Sequence, residues 1–521
     1  MGTHTNTETN AGLRSQGNAL LAEGRIAEAT QCYERACNND PTDSLAWLNQ
    51  GYGRLVMGEV ERASQCLRRA LTLDGALTDA HFLLGQIDSG QPEAALVHFE
   101  AALVIDPAHA GALQGASRAL YMMGRHVQAL DHLDRWLAVV PGDFDALQGR
   151  AAVLLELGRN EEALAAASQV LASQPDSIDA LDHASAACLR LGGFDEGLSL
   201  LRHGLAVDPQ HAGMHWNRGL ALLTLGRLEE GWPEFEWRWQ ATVLAHARPS
   251  FMSTHPAWRG EDLRGKSLLL HAEQGLGDTI QFVRFAPLLA ARGARVLLLV
   301  PESLRDLCSR MPGCEVFADE RALPPFDFHC PMMSVPAVWQ MTMQAIAAPL
   351  QYLRSDAVKR ELWDTRLGRR HGLRIGLVWS GGTLHRNDAN RSMSLSTLLP
   401  ALPPGNQLVS LQKEVRDADR GALTASGILD FSGELRTFDD TAALADCMDV
   451  IVSVDTSVAH LAGALGKPLI LMLSDVPDWR WMLERGDSPW YPTARLFRQD
   501  ERSKWHRVIQ NVRAALTRLA V

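Results

Sequence analysis

The second half of the chain alternates between short apolar runs and stretches with helical spacing. Continuous apolar runs of this length are typical of strands buried on both faces, and their alternation with helices predicts parallel sheets with crossover helices. The stretch 320–372, rich in Pro, Met and Arg, breaks the alternation, and we interpret it as a join between two sheets. Ligands of such sheets bind at the carboxyl ends of the strands. The predicted strands lie in SLLLHA (267–272), ARVLLLVP (294–301), LRIGLVWS (373–380), QLVSLQ (407–412), VIVSVD (450–455) and PLILMLS (468–474).

The first half of the chain is a repeat. Small or apolar residues recur at fixed offsets before regularly placed prolines, as Gly17, Ala29 and Tyr33 do before Pro41. This pattern predicts pairs of antiparallel helices that approach closely at small residues and stack into a superhelix, because one pair cannot bury its apolar face alone. The implied function is to bind a peptide or protein segment, and the alternative is a rigid spacer. The clearest period is 34 residues, between Pro107, Pro141, Pro175 and Pro209.

Composition narrows the class of protein. A chain of 521 residues with 46% hydrophobic and 21% charged residues is expected to fold into two to four globular domains. The formal net charge of -11 argues against a general nucleic-acid binder. No apolar run approaches the roughly 18 residues of a membrane span, and the polar start MGTHTNTETN is not a secretory signal. The eight cysteines form no CxxC pair and no zinc-type cluster, so we expect reduced thiols, a cytoplasmic location and no metal site.

The turn HAEQGLGD follows the first predicted strand. Its glycines permit a tight turn, and the amides at the start of the next helix favour a polar or anionic ligand. Asp278 is either a cap of that helix or a carboxylate directed at a substrate. Gln274 and Gly277 are possible phosphate or sugar contacts in the same turn.

Small and polar residues follow the first strand of the second predicted sheet. Ser380, Gly381 and Gly382 form a turn of the kind that lets phosphates approach the backbone. The polar residues after it form either a functional loop at a strand end or a solvated loop. The candidate phosphate or sugar contacts in this loop are His385, Arg386, Asn387 and Arg391.

Two more strand ends carry candidate donor-binding residues. Lys413 ends the strand QLVSLQ as a possible partner of a phosphate. Asp455 ends the strand VIVSVD, and Thr456 and Ser457 stand where a helix begins, so their hydroxyls and free amides form a candidate anion site. Helix capping is the alternative, and His460 is either a ligand contact or a packing residue. The Trp-rich segment 477–499 either covers a base or sugar or locks the C-terminal helix across the two domains.

These motifs resemble a known family. The motifs are EQGLGDTIQFVRFAPLLAARGA, the WSG turn with HRNDANRS, SLQK, DDTAALADCMDVIVSVDTSVAHLAGALGKP and PDWRWMLERGDSPWYPTARLFRQ. With the repeats, the chain resembles bacterial tetratricopeptide-linked glycosyltransferases related to the heptosyltransferases, and in architecture O-GlcNAc transferases and flagellin glycosyltransferases. The resemblance implies an α-solenoid followed by an α/β half of GT-B type, with two Rossmann-like domains facing across a cleft. The expected domains are repeats at 10–240, a linker at 241–265, an acceptor-side domain at 266–365, a donor domain at 366–498 and a C-terminal helix at 499–521.

The resemblance also implies an activity. It predicts an enzyme that moves a sugar from a nucleotide-sugar, UDP- or CMP-linked, to a Ser or Thr of a protein held by the repeats, with flagellin one candidate. Catalysis is expected to need no metal or cofactor and to invert the anomeric centre, with Asp278 as the base. The alternatives are transfer to a lipid-linked or polysaccharide acceptor, and a non-catalytic scaffold with a degenerate transferase half. The implied donor-binding residues are Ser380, Gly381, Gly382, Lys413, Asp455, Thr456, Ser457 and His460.

Overall fold

We analysed a computed structural model of the chain, which describes residues 9–241, 248–346, 349–383, 387–502 and 504–519. The chain divides into two compact units, Met1–Val207 and Asp208–Val521.

The first unit consists of six antiparallel helix pairs, as the repeat predicts. Small residues do set the close approach: a Cβ placed on Gly17 would lie 2.5 Å from Cε1 of Tyr33, and one on Gly51 would lie 2.8 Å from Leu67. The turn inside most pairs uses a glycine at positive φ, such as Gly24 at 76° and Gly58 at 80°, a conformation that favours glycine. The helices are α1 Asn10–Ala22, α2 Ile26–Asn39, α3 Ser44–Val56, α4 Val60–Leu73, α5 Thr78–Ile87, α6 Pro92–Ile105, α7 Ala110–Met122, α8 His126–Val139, α9 Phe144–Glu156, α10 Asn160–Ser173, α11 Ile178–Arg190 and α12 Phe194–Val207.

A seventh helix pair opens the second unit. It comprises α13 (Ala212–Thr224) and α14 (Leu228–Phe235), and a 3-10 turn at Glu236–Trp239 follows. Trp232 is buried in the core of this unit, and its indole Nε1 donates a hydrogen bond to the Met341 carbonyl at 3.0 Å. The sequence places the end of the repeats at residue 240, but the second compact unit already begins at residue 208. The reason is that Trp232 and Phe235 of the seventh helix pair belong to the core of the α/β region.

Two parallel sheets form the rest of the second unit. The first has the strand order β3-β2-β1-β4 and the second the order β10-β9-β8-β5-β6-β7. All six apolar runs predicted as strands form strands, and every strand pairing in both sheets is parallel. The strands are β1 Ser267–His271, β2 Arg295–Leu299, β3 Cys314–Phe317, β4 Phe328–Pro331, β5 Arg374–Val378, β6 Gln407–Ser410, β7 Leu429–Asp430, β8 Val450–Val454, β9 Leu469–Leu473 and β10 Ala494–Arg498.

Helices connect and cover these strands. The helix that follows β10 has Val508, Val512 and Leu516 buried in the core of the second sheet. The helices are α15 Phe251–Thr254, α16 Leu276–Phe282, α17 Phe285–Ala291, α18 Glu302–Cys308, α19 Val335–Val338, α20 Ala357–Leu367, α21 Asp388–Arg391, α22 Leu395–Leu398, α23 Asp417–Ser426, α24 Phe438–Asp446, α25 Ser457–Ala464 and α26 His506–Leu519.

The interpretation of 320–372 as a join between sheets is wrong in its first part. Strand β4 lies within this stretch and pairs with β1 along the first sheet. It is only four residues long and ends in Pro331, so it forms no apolar run that would predict a strand. Residues 248–265, which the sequence assigns to a linker, also contribute to the fold, since Phe251, Trp258 and Leu263 are buried.

Candidate functional site

Asp278 lies in the first turn of α16, directly after the turn that follows β1. Its Oδ2 accepts a hydrogen bond from the Gly275 amide at 2.7 Å, so the carboxylate does act as a helix cap. Its Oδ1 accepts a second hydrogen bond from Nη2 of Arg480. The side chain retains 19% of its exposure, so it is partly open to solvent. Asp278 therefore caps the helix and at the same time keeps part of its carboxylate accessible.

Arg480 is the central cation of the site, and the sequence did not single it out. Its side chain is buried, and its guanidinium lies over the Trp479 ring at 4.4 Å. Nη1 donates to Oδ1 of Asp478 at 2.8 Å, and Nε donates to Oε1 of Gln281 at 2.6 Å. Burial opposes the charge, but Asp278 and Asp478 raise the pKa of Arg480 well above its ordinary value. The only sequence signal is the Trp- and Arg-rich composition of its segment.

Asp478 completes this pair of carboxylates around one cation. Burial by itself would raise the pKa of Asp478, yet the charge and hydrogen bonds of Arg480 hold it below its ordinary value. The Asp478 carboxylate is therefore ionised beside Arg480, and its charge acts on its neighbours.

Asp455 and His460 occupy the start of α25, after β8. Burial, and then the charge of Asp478, raise the pKa of Asp455 to about 6, against the opposing effects of Arg391 and Arg480. Burial, and then the charge of Arg480, lower the pKa of His460 to about 3, so its imidazole is neutral at physiological pH. The carboxyl and imidazole are close, with 3.9 Å between Asp455 Oδ1 and His460 Nε2.

His460 is enclosed by side chains. Its Nδ1 lies 2.8 Å from the Tyr491 hydroxyl, and its ring stacks on Trp481 with a centroid separation of 5.2 Å. A Cβ on Gly277 would lie 2.8 Å from Cδ2 of His460, so the imidazole occupies the space beside this glycine. These are the surroundings of a packed side chain, and a role of His460 as a ligand contact stays a prediction. The same close approach joins α16 to α25 and brings the Asp278 and Asp455 motifs together.

The Ser380–Gly381 turn is held by side chains from neighbouring elements. Gln412 donates to the Ser380 carbonyl at 2.8 Å. The Arg391 guanidinium packs against Gly381, and its Nη1 donates to the Asp455 carbonyl at 3.0 Å. The Ser380 hydroxyl is buried and has no hydrogen-bond partner within the part of the chain that the structure describes. This turn and the start of α25 therefore form one polar edge of the second sheet.

A second arginine that the sequence did not single out supports the same turn. Nη2 of Arg416 donates to the Gly381 carbonyl at 3.1 Å and pairs with the Asp388 carboxylate. Asn387 accepts a hydrogen bond from Asn390 at 2.7 Å, within the loop itself. Gly382 is exposed, with no atom within 4 Å of a Cβ placed on it. His385 and Arg386 lie outside the described residues.

The order of the second sheet gathers the predicted donor-binding residues. β8, β5 and β6 are neighbours, so Asp455, Ser380 and Lys413 follow the carboxyl ends of three adjacent parallel strands. Lys413 is exposed, and its Nζ donates to the Arg436 carbonyl at 3.3 Å. Thr456 and Ser457 stand at the start of α25, as the sequence predicts. Gln274 lies in the turn before α16.

The Trp-rich segment is largely buried. Trp479 and Trp490 pack with Trp232 and Phe282, at centroid separations between 5.6 and 6.5 Å. Trp481 is fully buried beneath His460. The segment therefore packs between elements of both sheets, because its indoles fill the space there.

The described residues show no metal cluster, no membrane-spanning helix and no disulfide. No group of three or more His, Cys, Asp and Glu side chains among them is arranged to hold a metal ion. None of the described helices is long and apolar enough to cross a bilayer. All eight cysteines are free thiols.

Comparison with known families gives two kinds of match. The description "Glycosyltransferase family 9 (heptosyltransferase)" matches residues 424–513, which contain Asp455, His460 and Arg480. Tetratricopeptide repeat descriptions match residues 15–43, 86–153 and 181–235.

Among curated proteins, the chain is similar to Protein FlbA of Caulobacter vibrioides. The two are 29% identical over 315 residues, which cover 55% of this chain and 52% of FlbA. The chain thus spans about half the length of the curated relative that it matches.

Among solved structures, the chain is similar to YrrB, described as a TPR protein with an unusual peptide-binding site. The identity is 21%, with 35% of this chain and 95% of YrrB covered at a TM-score of 0.34. A tetratricopeptide repeat protein from Parabacteroides merdae matches at 16% identity, with 44% of this chain and 91% of that chain covered, also at a TM-score of 0.34. The family matches confirm the resemblance that the sequence motifs indicate. The chain combines tetratricopeptide repeats with a glycosyltransferase family 9 domain in its C-terminal part.

Proposed function

We propose that this protein transfers a sugar from a nucleotide-sugar to a Ser or Thr hydroxyl of an acceptor protein. The observation that carries the proposal is the glycosyltransferase family 9 match over 424–513, in a chain whose first half is built of repeats that generally bind protein segments. We further propose a GT-B arrangement for the two sheets, a cytoplasmic location, and flagellin as one candidate acceptor.

In this proposal the donor binds at the carboxyl edge of the second sheet. Lys413 is exposed there and places a cation near the phosphates, and the exposed Gly382 lets a phosphate approach the backbone of the Ser380 turn. The first amides of α25, at Thr456 and Ser457, add the positive end of a helix dipole. Fixed cations and dipoles of this kind stabilise a departing phosphate without a metal ion.

Asp278 serves as the base in this proposal. It takes the proton of the acceptor hydroxyl while that oxygen attacks the anomeric carbon from the face opposite the leaving phosphate, which inverts the centre. Positioned proton transfer of this kind contributes about 10²–10⁴-fold to the rate. Each Asp278 oxygen already accepts one hydrogen bond, from Gly275 and from Arg480, and these fix the carboxylate while leaving it partly exposed.

The first test is calorimetric binding of UDP-, GDP-, ADP- and CMP-linked sugars to the full chain. One nucleotide class should bind, and Lys413→Ala should weaken it by about tenfold or more. Lys266→Ala is the matched control, because Lys266 precedes β1 at the opposite, amino end of a strand and is also exposed. Failure of every donor to bind, in a protein that still unfolds cooperatively, would favour the non-catalytic scaffold.

The second test is turnover with the donor that binds. Asp278→Asn should bind the donor as the unsubstituted chain does and lose most transfer, and a chelator should leave transfer intact. Acceptor preference separates the remaining alternative, since transfer to a lipid-linked or polysaccharide acceptor in preference to a protein would contradict the proposal.

A further inference from the structure

A cavity of about 700 Å³ in the second unit is lined by residues other than those of the Asp278 cluster. Its walls come from the segment before β1, from α17, from the segment after β4 and from Trp490. None of the residues predicted for the donor or catalytic site lines it. Its volume lies within the range of about 300–1,000 Å³ that is typical of small-molecule sites.

Aromatic rings form much of the wall. Trp258 and Trp339 meet edge to face at a centroid separation of 6.4 Å, and Phe285 meets Trp339 at 5.6 Å. The indole N–H groups of Trp339 and Trp490 are buried and have no hydrogen-bond partner among the described residues. Trp490 is 1% exposed, so this unused donor is part of a buried wall. Neither nitrogen is accessible, so a ligand in the cavity would meet the carbon faces and edges of these rings rather than their N–H groups.

The charges around the cavity favour an anion. Arg292 lies over the Trp339 ring at 4.2 Å and forms no ion pair within the part of the chain that the structure describes. Arg284 is 4% exposed, and its guanidinium donates to the Gln281 and Trp490 carbonyls and to the Tyr352 hydroxyl, with no carboxylate among these partners.

The two carboxylates in the wall are already engaged. Asp262 pairs with Arg264 at 2.6 Å, and Glu261 accepts a hydrogen bond from the Arg259 amide at 2.7 Å. Arg264 thus neutralises Asp262, and Glu261 keeps its charge, so the wall carries two arginines, Arg284 and Arg292, against one remaining acid.

We propose that this cavity binds a small organic anion whose acidic group meets the Arg292 guanidinium and whose flat or apolar face lies against the tryptophans. An acidic sugar and an aromatic carboxylate share this chemistry. Arginine on an aromatic face is pre-organised for a carboxylate, because its planar fork keeps N–H groups free at the edge. The site does not depend on the proposed transferase activity, and binding alone tests it.

The test is calorimetry on the full chain with two matched pairs of probes: glucuronate against glucose, and indole-3-acetate against indole-3-acetamide. The acid of at least one pair should bind with a Kd of about 1 mM or tighter, and its neutral partner should bind about tenfold more weakly. The pair that binds distinguishes an acidic sugar from an aromatic acid.

Variants locate the binding. Arg292→Gln should weaken the acid about tenfold, whereas Arg295→Gln, an exposed arginine paired with Glu315 outside the cavity, should leave it unchanged. Leu288→Trp fills the cavity from its rim, where Leu288 is 48% exposed, and should weaken both members of the pair. Absence of binding by both acids, equal binding of acid and neutral probe, or an Arg292→Gln variant that binds as the unsubstituted chain does would each overturn the proposal.

Discussion

Arg480 gives the sharpest prediction, because one buried guanidinium there serves two carboxylates. Arg480→Gln removes the cation that holds Asp278 and Asp478, whose side chains are 19% and 37% exposed, and leaves both acids without their buried partner. Removing one partner of a buried ion pair typically costs about 3–5 kcal/mol, since the remaining charge is then buried and unpaired. Because both carboxylates keep contact with water, we expect the free energy of unfolding of the second unit to fall by no more than the lower end of this range, about 3 kcal/mol, at pH 7.5.

The penalty should depend on pH with a definite sign. Arg480 lowers the pKa values of Asp478 and Asp455, so both rise without it, and the folded variant takes up protons that the unfolded chain has not yet bound. Between about pH 7 and pH 5 the folded variant therefore gains stability relative to the unsubstituted chain. We expect the penalty to shrink by about 1–2 kcal/mol over this range.

Urea unfolding followed by tryptophan fluorescence measures the effect, because 12 of the 14 tryptophans lie in residues 208–521. The matched control is Arg420→Gln, an exposed arginine paired with Asp417, for which a change within about 0.5 kcal/mol is expected. Arg480→Lys keeps the charge without the planar fork and should lie between the two. Equal midpoints for the Arg480 and Arg420 variants, or a penalty independent of pH, would refute the reasoning.

Three further predictions concern the same unit. Gly277→Ala should cost about 1–3 kcal/mol by forcing a methyl into His460, whereas Gly433→Ala, with open space around it, should be neutral by the same urea titration. Asp455→Asn should raise the unfolding free energy by up to about 2–3 kcal/mol at pH 7.5, because a carboxyl whose pKa is raised to about 6 costs stability when it ionises. This gain in stability should vanish as the pH falls toward 4. A gain that stays constant with pH would contradict the raised pKa of Asp455. Glu273→Gln should lower the unfolding midpoint by an amount equivalent to about 1.5–3 kcal/mol, since it removes one of the two carboxylates paired with the fully buried Arg238 and leaves Glu236 as the other. An unchanged midpoint would disprove this.

Local features of the sequence were enough to predict the two architectures. A period of 34 residues with small residues at fixed offsets requires stacked helix pairs, and the positive-φ glycines of their turns repeat with the same period for most pairs. Apolar runs such as VIVSVD correspond to fully buried strands, because a strand covered on both faces needs no polar position. The same pattern did not predict strand β4, because its four residues include His329 and Pro331 and form no apolar run.

Parallel topology also placed the candidate donor residues on one edge. Each of Ser380, Lys413 and Asp455 follows a strand in the sequence, and adjacency of β5, β6 and β8 then brings them to the same side of the sheet. The order of the strands is a property of the fold, so the sequence could predict that these residues lie at strand ends but not which of them are neighbours.

Only the tertiary structure decided what surrounds the catalytic candidate. Asp278 and Arg480 are 202 positions apart, and neither has a local pattern that names the other as partner. The same holds for Trp232, which belongs to a repeat by sequence and to the core of the α/β unit by packing. Periodicity and strand runs record which faces are buried over a few neighbouring residues, and so they determine elements. Ion pairs and cavities depend on which buried faces meet, and that is settled when distant segments pack together.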